Sequence, residues 1–367
     1  MAMSTPKKIW LSALAILVIL VLAVHLLIPQ LVLGRLNAYL ENFSPVYKLH
    51  VNHLVLNVFR GAYRFEGVRG EIKANGQQFL DAGWIDVSIA WRELLHGRIT
   101  TDIDVEETTA ALTRELFDNS KDKPDDRKQE GKALSDKLFP LRIETVNFEN
   151  CTIEFAEVAN LPKELRWRLS AVDGKVSNLT ATRRQPFAVI SATGAMMGSS
   201  TVKIAAKVDR LVEPIDWEAD VEMLHFDMVK ANPLLLRLVP LDFGSGNMDL
   251  YLEAVSRAGT IDGYAKPFLH NLVVLQKGQR FKNARHVLAE FTAAILNLVL
   301  RTPSKKIVAA KIPFHRPAGG TVSVDKSTFV ATILQNGFNG GIQPGIEDKF
   351  NLEFPHHSGV AFQHQRN

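Results

Sequence analysis

The residue types able to do chemistry are spread thinly along this 367-residue chain. Asp242-Phe243-Gly244 matches the magnesium-binding tripeptide of protein kinases. The glycine-rich loop, Val-Ala-Ile-Lys strand and His-Arg-Asp loop that give that tripeptide its role do not accompany it. The sequence holds no Gly-x-Ser-x-Gly elbow, His-Glu-x-x-His helix, paired-cysteine metal motif or phosphate-cradling glycine loop. His356 and His357 are adjacent near the C-terminus and the other histidines are scattered, which is not a metal-ligand spacing. Cys151 is the single cysteine, so no intrachain disulfide forms. Within CTIEFAEV it reads as a small buried apolar residue rather than a nucleophile. The carboxylates fall mainly on the polar positions of alternating segments, where a solvated face accounts for them. No catalytic residue, cofactor or metal is expected, and the chain reads as a non-enzyme.

The elements that would hold any site are more legible. Ile9–Ile28 is an apolar run of twenty residues ending at Pro29, long enough as a helix to cross a hydrocarbon core of about 30 Å. A cleaved signal peptide is the alternative, but its apolar region is usually shorter, about 7–15 residues, and ends in a small-x-small site, whereas this run ends in Leu-Leu-Ile-Pro-Gln-Leu. Lys7 and Lys8 precede the run, and Arg35 and Lys48 follow at greater distance, which places residues 1–8 in the cytoplasm and translocates the rest.

Composition is that of a globular or rod-like protein, 46% hydrophobic and 22% charged. The net charge of +4 is distributed among interleaved cations and anions, without the concentrated basic tract that grips nucleic acid.

After Pro29, residues Leu33, Leu36, Leu40 and Phe43 fall at helical spacing and predict a short amphipathic helix leaving the membrane. The period then changes to two. Leu54, Leu56 and Val58 alternate, as do Ile85, Val87, Ile89 and Trp91, and then Ile99 to Val105. Trp91 to Gly97 reads as one helical turn. Residues 119–138 are rich in Lys, Asp and Glu and poor in large apolar residues, so they read as a solvated linker. Strands resume at Leu141, with a turn expected at Glu149-Asn150 and a bend at Asp173-Gly174. The clearest alternations are Val202 to Val208 and Ile215 to Met223, followed by a helical stretch from Asp227 to Leu238. Residues 282–300 form the strongest soluble helical pattern, further strands follow up to Leu334, and 341–367 reads as a flexible tail.

The expectation is a mainly β fold: a long antiparallel sheet of about fourteen strands, with few helices and one N-terminal transmembrane helix. Its apolar faces outnumber the helices available to cover them. The sheet must close as a barrel, fold over as a sandwich, or curl into a groove covered by something other than protein. Ile103, Ile204, Trp217 and Val221 are candidates for a groove lining, and an ordinary core position is the alternative reading for each.

The order of anchor, LNAYL and VNHLVLNVFRGAYRFEGVRGEI (Val51–Ile72) resembles the N-terminal signature of the AsmA-like superfamily of bacterial envelope proteins, particularly a branch built on a domain of unknown function. LRIETVNFENCTIEF (Leu141–Phe155) resembles that branch's strand-turn-strand, although Cys151 stands where members often have Gly. GTIDGYAKPFLHNLVVL, the IVAAKIPFHRPAG segment and the Asn336-Gly337-Phe338 to Pro344-Gly345 ending are similar to its C-terminal half. The resemblance implies an N-terminal AsmA-like region over 29–118 and a repeating β-groove over 139–340, in a periplasmic protein anchored in the bacterial inner membrane. It implies phospholipid acyl chains as partners, in lipid transport. The alternative is a scaffold for outer-membrane or envelope proteins, acting through other proteins or self-association.

Overall fold

A computed structural model describes residues 30–57, 61–89, 99–113, 141–155, 167–179, 187–209, 214–233, 242–274, 307–321, 323–324 and 342–349. The apolar run Ile9–Ile28, the turn near Trp91, the linker 119–138, the helix expected at 282–300 and His356-His357 lie outside those residues. Among the described residues, no helix is long and apolar enough to cross a membrane.

The described chain is mainly β. Helix α1 (residues 30–42) leads into β1 (Tyr47–Asn57), β2 (Ala62–Ile72), β3 (Gln78–Ile89) and β4 (Ile99–Leu112). Then come β5 (Leu141–Phe155), β6 (Trp167–Ser177), β7 (Phe187–Met196), β8 (Ser200–Asp209) and β9 (Asp216–Asp227). The series ends with β10 (Phe243–Arg257), β11 (Thr260–Val274), β12 (Ile307–Ala309), β13 (Ile312–Arg316) and β14 (Ser323–Val324). All belong to one sheet in chain order from β1 to β11, then β13 and β14, with β12 also on β11; the first and last strands do not pair, so the sheet is not closed.

The sheet is mixed, which corrects the antiparallel expectation. Strands β4 and β5 run parallel, from Ile99↔Leu141 to Leu112↔Phe155, while the other pairs are antiparallel. A parallel neighbour needs a crossover of a dozen or more residues. The chain between Leu112 and Leu141 is long enough for that crossover, whereas the turns of a few residues between β7 and β8 and between β10 and β11 enforce antiparallel return.

The turn expected at Glu149-Asn150 is also corrected, since β5 runs through it as one strand. Asn150 adopts a left-handed φ of 49°, and Glu107 on β4 and Ala171 on β6 do the same at neighbouring positions, with φ of 49° and 47°. Each inserts a residue out of phase, so Phe148 and Cys151, three apart, both turn toward the apolar side. Asn in left-handed geometry carries the signal of a turn, and here it marks a bulge. The freed Asn150 N–H donates to Asp173 on β6 at 2.8 Å, and the left-handed His225 (φ 60°) on β9 donates in the same way to Asp249 on β10 at 2.7 Å.

Helix α1 forms where its spacing predicted. Leu33, Leu36 and Leu40 pack on Val51, Val68 and Ala82 of β1–β3, while Phe43 stays exposed. Asn37 binds the edge strand through both halves of its amide: Val51 N–H donates to Oδ1 and Nδ2 donates to Val51 C=O, each at 2.9 Å. That side chain occupies backbone groups that would otherwise recruit another strand. Asn37→Ala is expected to cost about 1–2 kcal/mol. Hydrogen exchange at the Val51 amide, accelerated at least as much as global unfolding, would check it.

The helical stretch expected from Asp227 to Leu238 is described only up to residue 233, and those residues are helical from Met228 on. A 3-10 turn, Met228–Ala231, starts with Asp227 accepting from Val229 N–H and buries Met228 and Ala231.

Candidate functional site

The alternation of each strand supplies two faces, and the register aligns them across the sheet. Leu54, Phe65, Ile85, Val105, Phe148 and Gly174 are successive partners from β1 to β6. The same row continues through Ala192, Ile204, Val221, Leu252, Ala265 and Ile312, reaching β13. A second row lies beside it, Leu56, Tyr63, Val87, Ile103, Val146 and Val176. It continues as Ile190, Ala206, Ala219, Ala254, Gly263 and Phe314. Neither row contains a charged residue, and Tyr63 brings the one hydroxyl. Twelve strands at about 4.8 Å make each row roughly 53 Å long.

The opposite face is polar along the same strands. Arg64, Asp86, Asp104, Asn147 and Lys175 are successive partners there. Arg64 donates twice to the Asp86 carboxylate, at 2.9 and 2.7 Å, and lies 4.4 Å from the centre of the Trp84 ring. Asn147 donates to Asp104 at 2.7 Å, and Lys207 pairs with Glu218 at 2.5 Å.

Burial along the apolar face is graded. At one end, Leu169, Val172, Val202, Met223, Phe226 and Phe243 form a packed core. Trp167 and Phe226 meet there with ring centres 5.5 Å apart, although β7 and β8 lie between their strands. Three strand steps span about 14 Å on a flat sheet, so the side chains converge over this face. Further along the same strands Gly174, Val176, Ile204, Ala206, Ala219 and Val221 are only half-buried. On β1–β3, α1 covers the face at the end bearing Val51, Val68 and Ala82.

The structure brings all four lining candidates to this face. Ile204 and Val221 are direct partners in the first row and contact the packed core. Ile103 stands in the second row, and Trp217, two residues from Ala219, pairs with Val208 at the margin. All four are half-buried. Sequence reasoning missed Phe148 and Phe314. Each sits across from a glycine, Gly174 or Gly263, and lays its ring over the space a side chain would take. Both glycines are identifiable only once register is known. A Cβ on Gly174 would meet the Phe148 ring, the Ser191 carbonyl oxygen at 2.6 Å and the Ala192 Cα at 2.9 Å. Two of these obstacles are backbone, so Gly174→Ala should cost about 2 kcal/mol, read as a lowered denaturation midpoint with unchanged m-value.

The residues with chemical potential have structural roles. Burial raises the pKa of Cys151, the opposite of what activates a thiolate. Phe243 of the Asp-Phe-Gly tripeptide is buried and opens β10, its backbone N–H and C=O both bound by the Asn232 side chain at 2.9 Å. Among the described residues, no group of three or more His, Cys, Asp or Glu is placed to hold a metal ion.

The polar face carries an ionic cluster built around the buried Lys266. Residues 342–349, expected to open a flexible tail, lie against β10, β11 and the preceding segments, with Ile342 and Ile346 packed on the cluster of Tyr251, Phe268 and Ala309. Glu347 pairs with Lys266 at 3.2 Å, with Lys349 at 2.9 Å and with Lys311. Burial opposes its ionisation, but hydrogen bonds from the three lysines prevail and hold its carboxyl down to about 2. Tyr264 donates to Glu253 and accepts the Glu347 N–H at 2.7 Å; burial first, and then the Glu253 bond, raise its phenol pKa.

Comparison of the chain with protein-family models and with curated proteins finds no match.

Proposed function

We propose that this chain is an AsmA-like envelope protein, anchored in a bacterial inner membrane by Ile9–Ile28, whose sheet curls into a groove that binds or conducts phospholipid acyl chains. The observation that carries the reading is the pair of charge-free rows crossing twelve strands, whose β8 and β9 members Ile204, Ala206, Ala219 and Val221 are only half-buried although Ala192, Ala254 and Ile312 in the same rows are buried. A core closed by protein would bury those positions as fully as it buries Val202 and Met223 on the same strands. The convergence of Trp167 and Phe226 supports the curl. A lining of Ile, Val, Leu, Phe and Ala, with the Tyr63 hydroxyl as the one polar group in the two rows, offers little that would hold a lipid in one place. An acyl chain of about fifteen methylenes costs on the order of 12 kcal/mol to expose to water, and such a face removes that barrier. Headgroups stay at the rim.

A span of roughly 53 Å is short for a bridge between two membranes, so transport across the periplasm requires stacked copies, a partner or a shuttle. Envelope-protein assembly is the second reading. It is favoured by the edge of β14, which pairs only with β13 among the described residues and is a template for strand addition.

The decisive experiment is native mass spectrometry of the full chain released from mild detergent. Bound phospholipid is the expected result. A protein that carries none, and acquires none from phosphatidylethanolamine and phosphatidylglycerol vesicles, sinks the lipid reading. Crosslinks to envelope proteins in that case support assembly.

A further inference from the structure

Helix α1 has two apolar surfaces, and the sheet uses only one. Leu33, Leu36 and Leu40 are spent on β1–β3, and the paired Asn37–Val51 hydrogen bonds fix the helix against rotation. Leu31, Arg35, Tyr39 and Phe43 follow at intervals of four along another side, which aligns them in one row. That row, with Val32 beside it, stands open: Leu31 is 70% exposed, Tyr39 53%, Phe43 55% and Val32 44%. Tyr39 and Phe43 touch, their ring centres 5.6 Å apart. An open surface of this kind on a rigidly held helix calls for an occupant.

We propose that this surface rests on the lipid bilayer, so that α1 is an interfacial helix that sets the height and tilt of the sheet above the membrane. This inference rests on the reading of Ile9–Ile28 as membrane-spanning. Three observations select lipid over protein. The apolar run ends at residue 28 and the described part of α1 opens at residue 30, so a spanning Ile9–Ile28 delivers the helix to the bilayer surface. The open row mixes aliphatic and aromatic side chains with a cation, Arg35, which suits the boundary between acyl chains and anionic phosphates. The packing of Leu33, Leu36 and Leu40 directs the open row away from the sheet, where a lipid surface meets it without displacing any contact. The apolar rows of the sheet begin at Leu54 and Leu56 on β1, the strand that α1 clasps. Seating α1 on lipid therefore brings one edge of the groove next to its source of lipid.

The test places spin labels on the full-length protein, reconstituted in vesicles of phosphatidylethanolamine and phosphatidylglycerol. Cysteines are introduced singly by Tyr39→Cys, Glu41→Cys and Val18→Cys in a Cys151→Ala background. Tyr39 and Glu41 are both exposed and stand apart from Leu33, Leu36 and Leu40, so neither label disturbs the packing of α1 on the sheet. The label at position 39 should collide with dissolved oxygen at least about threefold more often than with a water-soluble nickel chelate, and the label at 41 should show the reverse. An aqueous label at 39 with a label at 18 inside hydrocarbon overturns the docking of α1 and leaves the anchor standing. An aqueous label at 18 overturns the anchor and the inference together. A dry label at 39 whose spectrum is broadened by a second label assigns the face to another copy of the chain and also overturns the proposal.

Discussion

On the proposed groove, Ile204→Asp should abolish copurification of phospholipid while leaving the protein folded. Ile204 sits in the middle of a charge-free row, between Ala192 and Val221, and is half-buried. A short carboxylate there cannot reach the rim, and placing its charge beside an acyl chain costs on the order of 3 kcal/mol, a loss of roughly 100-fold in occupancy. The control is one residue away. Ala205 lies on the other face, flanked along its strand by Lys203 and Lys207, so Ala205→Asp adds the same charge to an already ionic surface. Because Ile204 also touches the packed core, Ile103→Asp supplies a second lining variant several strands away in the neighbouring row. Native mass spectra should show lipid lost from both lining variants and kept by Ala205→Asp. Equal retention in all three means that the rows are an ordinary core face.

Glu347→Gln should cost about 3 kcal/mol and detach residues 342–349 from the polar face. Lys266 is the reason. Its side chain is 3% exposed and reaches Glu347 and the Gln343 carbonyl, so the amide variant leaves a buried ammonium without a counter-charge on this segment. Limited proteolysis within 342–349 should accelerate along with the fall in unfolding temperature. The pH dependence has a definite sign. With its folded pKa held near 2, below the ordinary glutamate value of 4.5, Glu347 contributes stability that is fully present above about pH 4.5. The contribution is lost as pH falls from there toward 2, and Glu347→Gln should flatten that part of the acid-denaturation curve. An unchanged acid limb would assign the clasp to Ile342 and Ile346 alone.

Legibility followed the range of the interaction. The alternations over β8 and β9 were readable because each residue's face depends on neighbours two positions away, and Ile204 and Val221 fell on the face expected of them. Helix α1 was readable for the same reason, from Leu33, Leu36 and Leu40. Phase was not. Left-handed residues at Glu107, Asn150 and Ala171 switch the alternation within a strand, and an Asn in such a run looks like a turn until its N–H is seen bound to Asp173. The glycine–phenylalanine pairs, 148 with 174 and 263 with 314, join strands that composition cannot align.

What the sequence determined by itself is local: period-two strands with one apolar face, a polar face of alternating charge, an amphipathic helix after an apolar run, and no catalytic motif. These follow from backbone geometry, which turns side-chain order directly into faces. Tertiary structure decided the rest. The parallel joint between β4 and β5 depends on where a long connection returns, and the unbroken rows depend on register between strands. The seating of Glu347 depends on Lys266 and Lys311, whose charges are brought together only by the pairing of β11 with β13 and its neighbours.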